Sequence, residues 1–169
     1  METLNKYIDE YKKQIEKGDI VKAYRGLMSY ILELRSYLSN KYPDFAVSGS
    51  VYFGYMDMSY FSFTPVFLQN KKLKIALVFV HDKVSWEIWL AGTNRQIQSK
   101  YSKLFTEKGW EKHRISPIEK GVDSIIECVL TDNPDFDDLS ALTYEIENKA
   151  LTFIDEIKEF LTENDNIEY

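Results

Sequence analysis

Apolar residues near the N-terminus recur every three or four positions, which is the period of an amphipathic helix. This pattern predicts a first helix over residues 4–16 and a second helix over residues 20–41. Gly18 is placed to end the first helix, and Asp19 is placed to cap the second. Because the link is so short, the two elements are predicted to form an N-terminal helical hairpin.

After residue 44 the period changes to two, and aromatic and β-branched residues become frequent. Strands are predicted over residues 45–53, 58–64, 73–80, 84–91 and 124–130. In the hairpin of the third and fourth strands, a two-residue turn sets Phe79 opposite Trp86 and makes one face wholly apolar. We assign that face to the core, and the opposite face carries Glu87 and Trp89.

Two more helices complete the predicted order of elements. One covers residues 94–107, where Thr93 and Gln96 form a capping-box pattern, and a long amphipathic helix covers residues 138–162. The sequence therefore predicts a single α+β domain over residues 1–169. In it, a mostly antiparallel sheet of about five strands packs against the N-terminal hairpin and the long C-terminal helix.

Composition narrows the classes of protein that need to be considered. The chain has 169 residues, of which 44% are hydrophobic and 28% are charged, in the ordinary range for a globular protein. Its one cysteine, Cys128, rules out an intrachain disulfide and a thiolate zinc cage. No apolar run reaches the length of a membrane span, and the N-terminus lacks the apolar core of a signal peptide. We therefore expect a cytoplasmic protein with no membrane partner.

The net charge of −6 is unevenly distributed along the chain. Residues 69–115 carry a net charge of +6, whereas residues 116–169 carry −12. The basic residues are scattered, so we expect the two segments to neutralise each other in part or to face water. A nucleic-acid partner is not expected, because the overall sign of the charge opposes binding to phosphates.

The strand face opposite the predicted core holds the candidate chemistry. Glu87 lies beside Trp89 on that face, where it is either an acid–base group with a raised pKa, an anchor for a ligand, or a rim glutamate paired with an arginine or lysine. Aromatic residues make up 15% of the chain, and tyrosine suits both clefts and interfaces as well as an aromatic core. The candidate ligand-binding residues are Glu87, Trp89, Arg25, Tyr55, Tyr60, Asn94 and Arg95.

Other potential motifs have simpler explanations. The acidic run over residues 132–138 lacks the spacing of a calcium loop, and capping of the following helix accounts for it. His81 and His113 are too far apart in sequence to indicate a metal site. The chain has no phosphate-binding glycine loop and no nucleophile elbow. We therefore expect neither a metal nor a cofactor.

Several stretches of the chain are distinctive as sequence, notably KGDIVKAYRGLMSYI, LKIALVFVHD, WLAG and TDNPDF. With them, essentially the whole chain resembles an uncharacterised family of small bacterial cytosolic proteins, known only as a domain of unknown function. The resemblance implies a bacterial, cytoplasmic, single-domain protein. It implies no reaction, ligand or catalytic residue.

Together these observations favour a non-enzymatic binding or interaction protein that uses the aromatic and polar face of its sheet. Its partner would be an unknown small molecule or protein. The alternative is a cofactor-independent enzyme with Glu87 as general acid and base. A third interpretation is a homodimer in which the aromatic surface is the contact between subunits.

Overall fold

Five helices and six strands form the part of the chain that the computed structural model describes, residues 3–165. The helices are α1 (Leu4–Lys17), α2 (Asp19–Lys41), α3 (Val66–Asn70), α4 (Arg95–Glu107) and α5 (Leu139–Asn164). The strands are β1 (Ala46–Val47), β2 (Met58–Thr64), β3 (Leu73–Val80), β4 (Ser85–Gly92), β5 (Arg114–Ile115) and β6 (Ser124–Thr131). The strands form one antiparallel sheet in the order β1-β2-β3-β4-β6-β5, which confirms the predicted α+β fold.

The register of the central hairpin is the one that the alternating pattern predicts. Phe79 of β3 pairs with Trp86 of β4, and Leu77 pairs with Ile88. All four side chains belong to the hydrophobic core, which also contains residues of α2, α4 and α5. The ring of Tyr30 on α2 packs edge-on against Trp86, with ring centroids 6.1 Å apart. The helices therefore cover the apolar face of the sheet, and Glu87 and Trp89 lie on the other face.

The first predicted strand, residues 45–53, is mostly wrong. Only Ala46–Val47 pairs with β2, and further along a single bridge joins Tyr52 to Tyr60. Between them the Ser48 hydroxyl accepts the backbone N–H of Ser62 at 3.0 Å. The Arg35 guanidinium donates to the carbonyls of Ser48 and Gly49. Side chains thus take over hydrogen bonds that a regular strand would make along its backbone.

Helix starts also differ from the prediction. The cap of α4 is Asn94, whose side-chain oxygen accepts the N–H of Ile97 at 2.9 Å, and Thr93 has no capping role. Gly18, with φ of +84°, both ends α1 and precedes α2, so Asp19 is the first residue of α2 and not its cap. The short helix α3 follows Pro65 in the segment between the second and third predicted strands, where the sequence predicts no element.

The two N-terminal helices and the long C-terminal helix are present as predicted, but they contribute differently to packing. Helix α2 buries Tyr30, Ile31, Leu34 and Leu38, whereas α1 buries none of its residues. Gly18 is the whole link between α1 and α2. Among the described residues, no helix combines the length and the apolar character that crossing a membrane requires.

Candidate functional site

Glu87 and Trp89 meet on the open face of the sheet, as the strand pattern predicts. The indole Nε1 of Trp89 donates a 2.7 Å hydrogen bond to one carboxylate oxygen of Glu87. The ammonium of Lys83 lies 3.4 Å from the other oxygen. The Glu87 side chain is only 5% exposed. Its carboxylate is therefore already satisfied within the chain, which leaves little of it for a ligand.

The two candidate tyrosines occupy different surroundings. Tyr60 of β2 lies on the same face as Glu87, because both residues pair with Val78 of β3 from opposite sides. Its ring packs against Tyr52, with centroids 4.9 Å apart. Tyr55 is 92% exposed at the tip of the preceding loop. The structure thus brings Tyr60 towards the Glu87–Trp89 pair and leaves Tyr55 in water.

The remaining predicted residues lie elsewhere. Arg25 is exposed on α2, which packs on the opposite side of the sheet from Glu87. Asn94 is engaged as the cap of α4. Arg95 donates to the carbonyl of Val122 and to Gln98, so it secures the loop before β6. The seven residues therefore do not form one site.

A different surface has the features of a ligand site. A groove of about 680 Å³ lies on the helical side of the sheet, within the usual range of roughly 300–1,000 Å³ for small-molecule pockets. It is bounded by the first half of α2, by the β3–β4 turn and by the loop that leads into α5. Its lining residues are Ile20, Lys22, Ala23, Tyr24, Gly26, Leu27, Tyr30, Met56, Phe79, His81, Val84, Phe136 and Leu139.

The walls of this groove are mostly aromatic and aliphatic. Phe79 forms part of the wall, and the Phe136 ring packs edge-on against both Phe79 and Tyr30, with centroids 6.1 and 6.3 Å apart. The Tyr30 hydroxyl is tied to Thr143 at 3.1 Å. Burial raises the pKa of Tyr30 to about 12, against the weaker effect of that hydrogen bond, so the hydroxyl stays neutral. The groove therefore presents apolar surface with few polar groups.

His81 is the main polar group in the groove. Its ring packs against Tyr24 and Phe79, and its Nε2 lies 2.9 Å from the Ser59 hydroxyl. Ser59 donates its single proton to the carbonyl of Phe53 at 3.0 Å. The hydroxyl must then accept from His81, which places the imidazole proton on Nε2 and leaves Nδ1 as an acceptor.

The charge state of His81 agrees with this assignment. Burial lowers the pKa of the imidazole, although the nearby Asp57 carboxylate opposes the shift. The ring is therefore neutral at pH 7. Within the described residues Nδ1 has no hydrogen-bond partner, so it is the ring nitrogen available to a ligand.

Other polar features do not make a second site. A depression of about 550 Å³ follows one face of α5 and is lined by residues of that helix alone. In the described part of the chain, no group of three or more His, Cys, Asp or Glu residues is arranged to hold a metal ion. His113 is paired with Glu156 at 2.5 Å. Cys128 is partly buried, and burial raises the pKa of its thiol.

Sequence reasoning missed the groove because its walls come from distant segments. In the sequence, His81 enters the prediction only as a possible metal ligand, and Arg25 rather than its neighbour Tyr24 is a predicted site residue. One signal was present: Phe136 and Leu139 are large apolar residues within and just after an acidic run. A contiguous apolar patch with polar residues at its rim is typical of binding surfaces.

The fold defines a two-layer protein in which one antiparallel sheet carries helices on one face. The chain belongs to the domain of unknown function DUF7000, whose family model matches residues 4–161. No curated protein and no solved structure shows significant similarity to the chain.

Proposed function

We propose that this protein is a non-enzymatic binding protein and that its ligand occupies the groove between α2, the β3–β4 turn and the start of α5. The observation that carries the proposal is an apolar groove of about 680 Å³ with a neutral histidine in its wall. A concave apolar surface with a few convergent polar groups is the usual form of a small-molecule site.

The chemistry of the walls indicates the class of ligand. Tyr24, Tyr30, Phe79 and Phe136 offer ring surfaces for an aromatic or branched aliphatic body. His81 Nδ1 accepts a hydrogen bond, so the ligand should carry one N–H or O–H donor. Lys22 is the cationic side chain in the lining, and the apolar lining disfavours a highly charged ligand.

A fluorescent probe of this chemistry tests the proposal. N-phenyl-1-naphthylamine is neutral, has two aromatic groups and carries one N–H donor. We expect it to bind the parent protein with a dissociation constant of about 1–100 μM. Ala23→Phe places a ring inside the groove and should weaken binding about tenfold or more. A fluorescence titration gives both constants.

Arg25→Phe is the matched control, because it adds the same side chain to α2 outside the groove lining. It should change the affinity by less than about twofold. Equal binding by the Ala23→Phe variant and the parent would disprove the groove as the site. Loss of binding in Arg25→Phe alone would instead support a site that includes Arg25, one of the candidate residues predicted from the sequence.

The pH dependence tests the role of His81. Its pKa is lowered, so the neutral ring should persist from neutral pH to below the ordinary histidine pKa of about 6.5. Further acidification protonates Nδ1 and removes the acceptor. Probe affinity should therefore be constant near pH 7 and fall in acid. An affinity that does not change down to the pH of unfolding would show that Nδ1 does not contact the probe.

The second candidate remains an enzyme that uses Glu87 as general acid and base. Burial of Glu87 favours this alternative. Neither the groove nor the depression on α5 includes Glu87 in its lining, and both of its oxygens are engaged. Binding is therefore better supported than catalysis.

The bacterial origin and the cytoplasmic location of the protein are also part of the proposal. The single cysteine and the sequence resemblance support a bacterial protein that works in the cytoplasm. Cell fractionation with an antibody against the chain would test this location. Recovery in the envelope fraction would contradict it.

A further inference from the structure

Val84 has an unusual backbone conformation at the edge of the groove. It lies in the turn between β3 and β4, where its N–H donates to the carbonyl of His81 at 3.3 Å, and its φ is +48°. Hairpin loops built on such a turn often place a left-handed residue just before the second strand, and glycine or asparagine normally fills that position. A β-branched side chain crowds the backbone in this conformation, so Val84 strains the turn.

Met56 has a left-handed backbone too, on the neighbouring loop, with φ of +64°. The Asp57 carboxylate holds this loop by accepting the backbone N–H groups of Tyr55 at 2.9 Å and Met58 at 2.8 Å. The carbonyl of Asp57 accepts the N–H of His81 at 3.0 Å, which ties the loop to the end of β3. These hydrogen bonds impose the left-handed conformation on Met56.

The side chains of Met56 and Val84 both line the groove, and both are half exposed to water. The exposed fractions are 52% for Met56 and 49% for Val84. Burial in the core therefore does not offset the cost of their left-handed backbones. Other residues of the lining, Ile20, Phe136 and Leu139, are also apolar and exposed. A ligand in the groove would cover apolar surface that the free protein leaves in water.

Lys72 has a similar backbone conformation outside the groove. In the described part of the chain it is the third non-glycine residue with a positive φ, at +59°. Its N–H donates to the carbonyl of Gln69 at 2.9 Å, just after α3. A left-handed residue commonly follows the end of a helix, and an unbranched lysine is less crowded there than a valine. Local structure thus accounts for the exposed Lys72, but it does not account for apolar side chains at Met56 and Val84.

We propose that Met56 and Val84 are specificity-determining residues of the groove, whose side chains close against the apolar part of a bound ligand. This inference rests on the proposed function, because it assigns roles within the same groove. Strained residues are typical of ligand clamps, where a less strained residue would stabilise the free protein but weaken binding. Val84 is stiff about χ1 and forms a fixed wall, whereas the flexible thioether of Met56 adapts to an aromatic ring.

Asparagine at the two positions tests the proposal, because it tolerates the left-handed backbone and replaces an apolar side chain with an amide. Val84→Asn should raise the melting temperature by about 2–4 °C, since it relieves strain. Met56→Asn should not lower it. Both variants should weaken the binding of N-phenyl-1-naphthylamine about fivefold or more, because the probe loses apolar contact.

A second probe separates specificity from a general loosening of the groove. The probe 8-anilino-1-naphthalenesulfonate has the same two aromatic groups and an added sulfonate, which accepts hydrogen bonds from an amide. The ratio of the two dissociation constants should therefore shift about threefold or more towards the charged probe in both variants. Equal weakening of both probes would leave this ratio unchanged and would overturn the proposal.

Lys72→Asn is the matched control, because it makes the same replacement at a left-handed residue outside the groove lining. It should change both dissociation constants by less than about twofold. Equal weakening in this control would overturn the proposal. A lower melting temperature in Val84→Asn would also overturn it, since the valine would then stabilise the free protein.

The Ala23→Phe variant separates failure of this proposal from failure of the proposed function. If Ala23→Phe weakens binding but Met56→Asn and Val84→Asn bind as the parent does, the groove remains the site and the role of these two residues is wrong. If the parent does not bind the neutral probe, or Ala23→Phe binds it equally well, the proposed function fails and this proposal fails with it.

Discussion

Glu147 is a buried carboxylate that holds the C-terminal end of α2 against α5. Tyr37 donates to one of its oxygens at 2.7 Å, and both Tyr42 and the ammonium of Lys41 contact the other. The Glu147 side chain is only 5% exposed, so leaving it unpaired would cost the desolvation of a charge. No local pattern in the sequence marks this residue, because its partners lie more than a hundred positions away.

We predict that Glu147→Gln lowers the free energy of unfolding by about 1–3 kcal/mol at pH 7. The amide keeps the shape of the side chain but loses the charge that Lys41 and the two tyrosines stabilise. Urea unfolding gives the value. Glu145→Gln on the same helix is the control, and since Glu145 forms only a surface pair with Lys149, its effect should stay below about 0.5 kcal/mol. Equal effects would show that the buried cluster contributes nothing specific.

The buried carboxylate of Glu147 also makes the stability of the protein depend on pH. Burial alone would raise the pKa of Glu147, but the hydrogen bonds from Lys41, Tyr42 and Tyr37 outweigh it and lower the pKa overall. The stabilisation should be complete above the unfolded pKa of about 4.3 and lost as the pH falls through the folded value. The stability difference between the parent and Glu147→Gln should therefore shrink in acid. A difference that grows below pH 4 would contradict the lowered pKa.

At the scale of elements, the cap at the junction from β4 to α4 differs from the predicted one. The local sequence pattern predicts one capping residue, and the backbone geometry selects another. The pattern Thr93-x-x-Gln96 predicts a capping box, but Asn94 provides the capping oxygen. The junction is tight, since a Cβ on Gly92 would lie 2.6 Å from the backbone nitrogen of Gln98. The N–H of Thr93 donates to the carbonyl of Lys72. This hydrogen bond holds Thr93 outside the helix, so the capping position falls on Asn94, one residue after the predicted cap.

Asn94→Ala should therefore destabilise the protein by about 1 kcal/mol, the usual effect of losing a helix N-cap. Thr93→Ala should change the stability by less than about 0.5 kcal/mol. Thermal or urea unfolding of the two single variants checks the difference. A larger destabilisation by Thr93→Ala than by Asn94→Ala would instead support the capping box that the sequence predicts.

The central strands could be predicted because their information is local. Alternation along residues 73–80 and 84–91 fixes the register, since a slip by one residue would move every core side chain to the solvent face. The edge segment at residues 45–53 lacks this constraint. There Ser48 and Arg35 compete for backbone hydrogen bonds, and only Ala46–Val47 remains a strand. The short α3 was missed because five residues carry too little periodicity to detect.

At the scale of the whole molecule, one hydrophobic cluster joins α2, the central strands, α4 and α5. The single-domain organisation that the sequence predicts requires such a continuous core. We expect the slowest-exchanging amides of β3 and α5 to share one opening free energy and one denaturant dependence. Native-state hydrogen exchange measures both quantities. A lower opening energy confined to α4 and α5 would indicate two cooperative units and would contradict a single domain.

The sequence by itself determined the α+β class, the long helices and the phase of the central hairpin. Each of these follows from the spacing of apolar residues over a few turns or strand positions. It also placed Glu87 beside Trp89, because residues two apart on a strand share a face.

Only the tertiary structure decided where a ligand site can form. The groove joins Tyr24, His81 and Phe136, which are separated by more than fifty residues at each step along the chain. Packing of α2 and the α5 loop against the sheet brings these side chains together, and local periodicity carries no information about that approach. The same packing carries Arg25 away from Glu87, because α2 and Glu87 lie on opposite sides of the sheet.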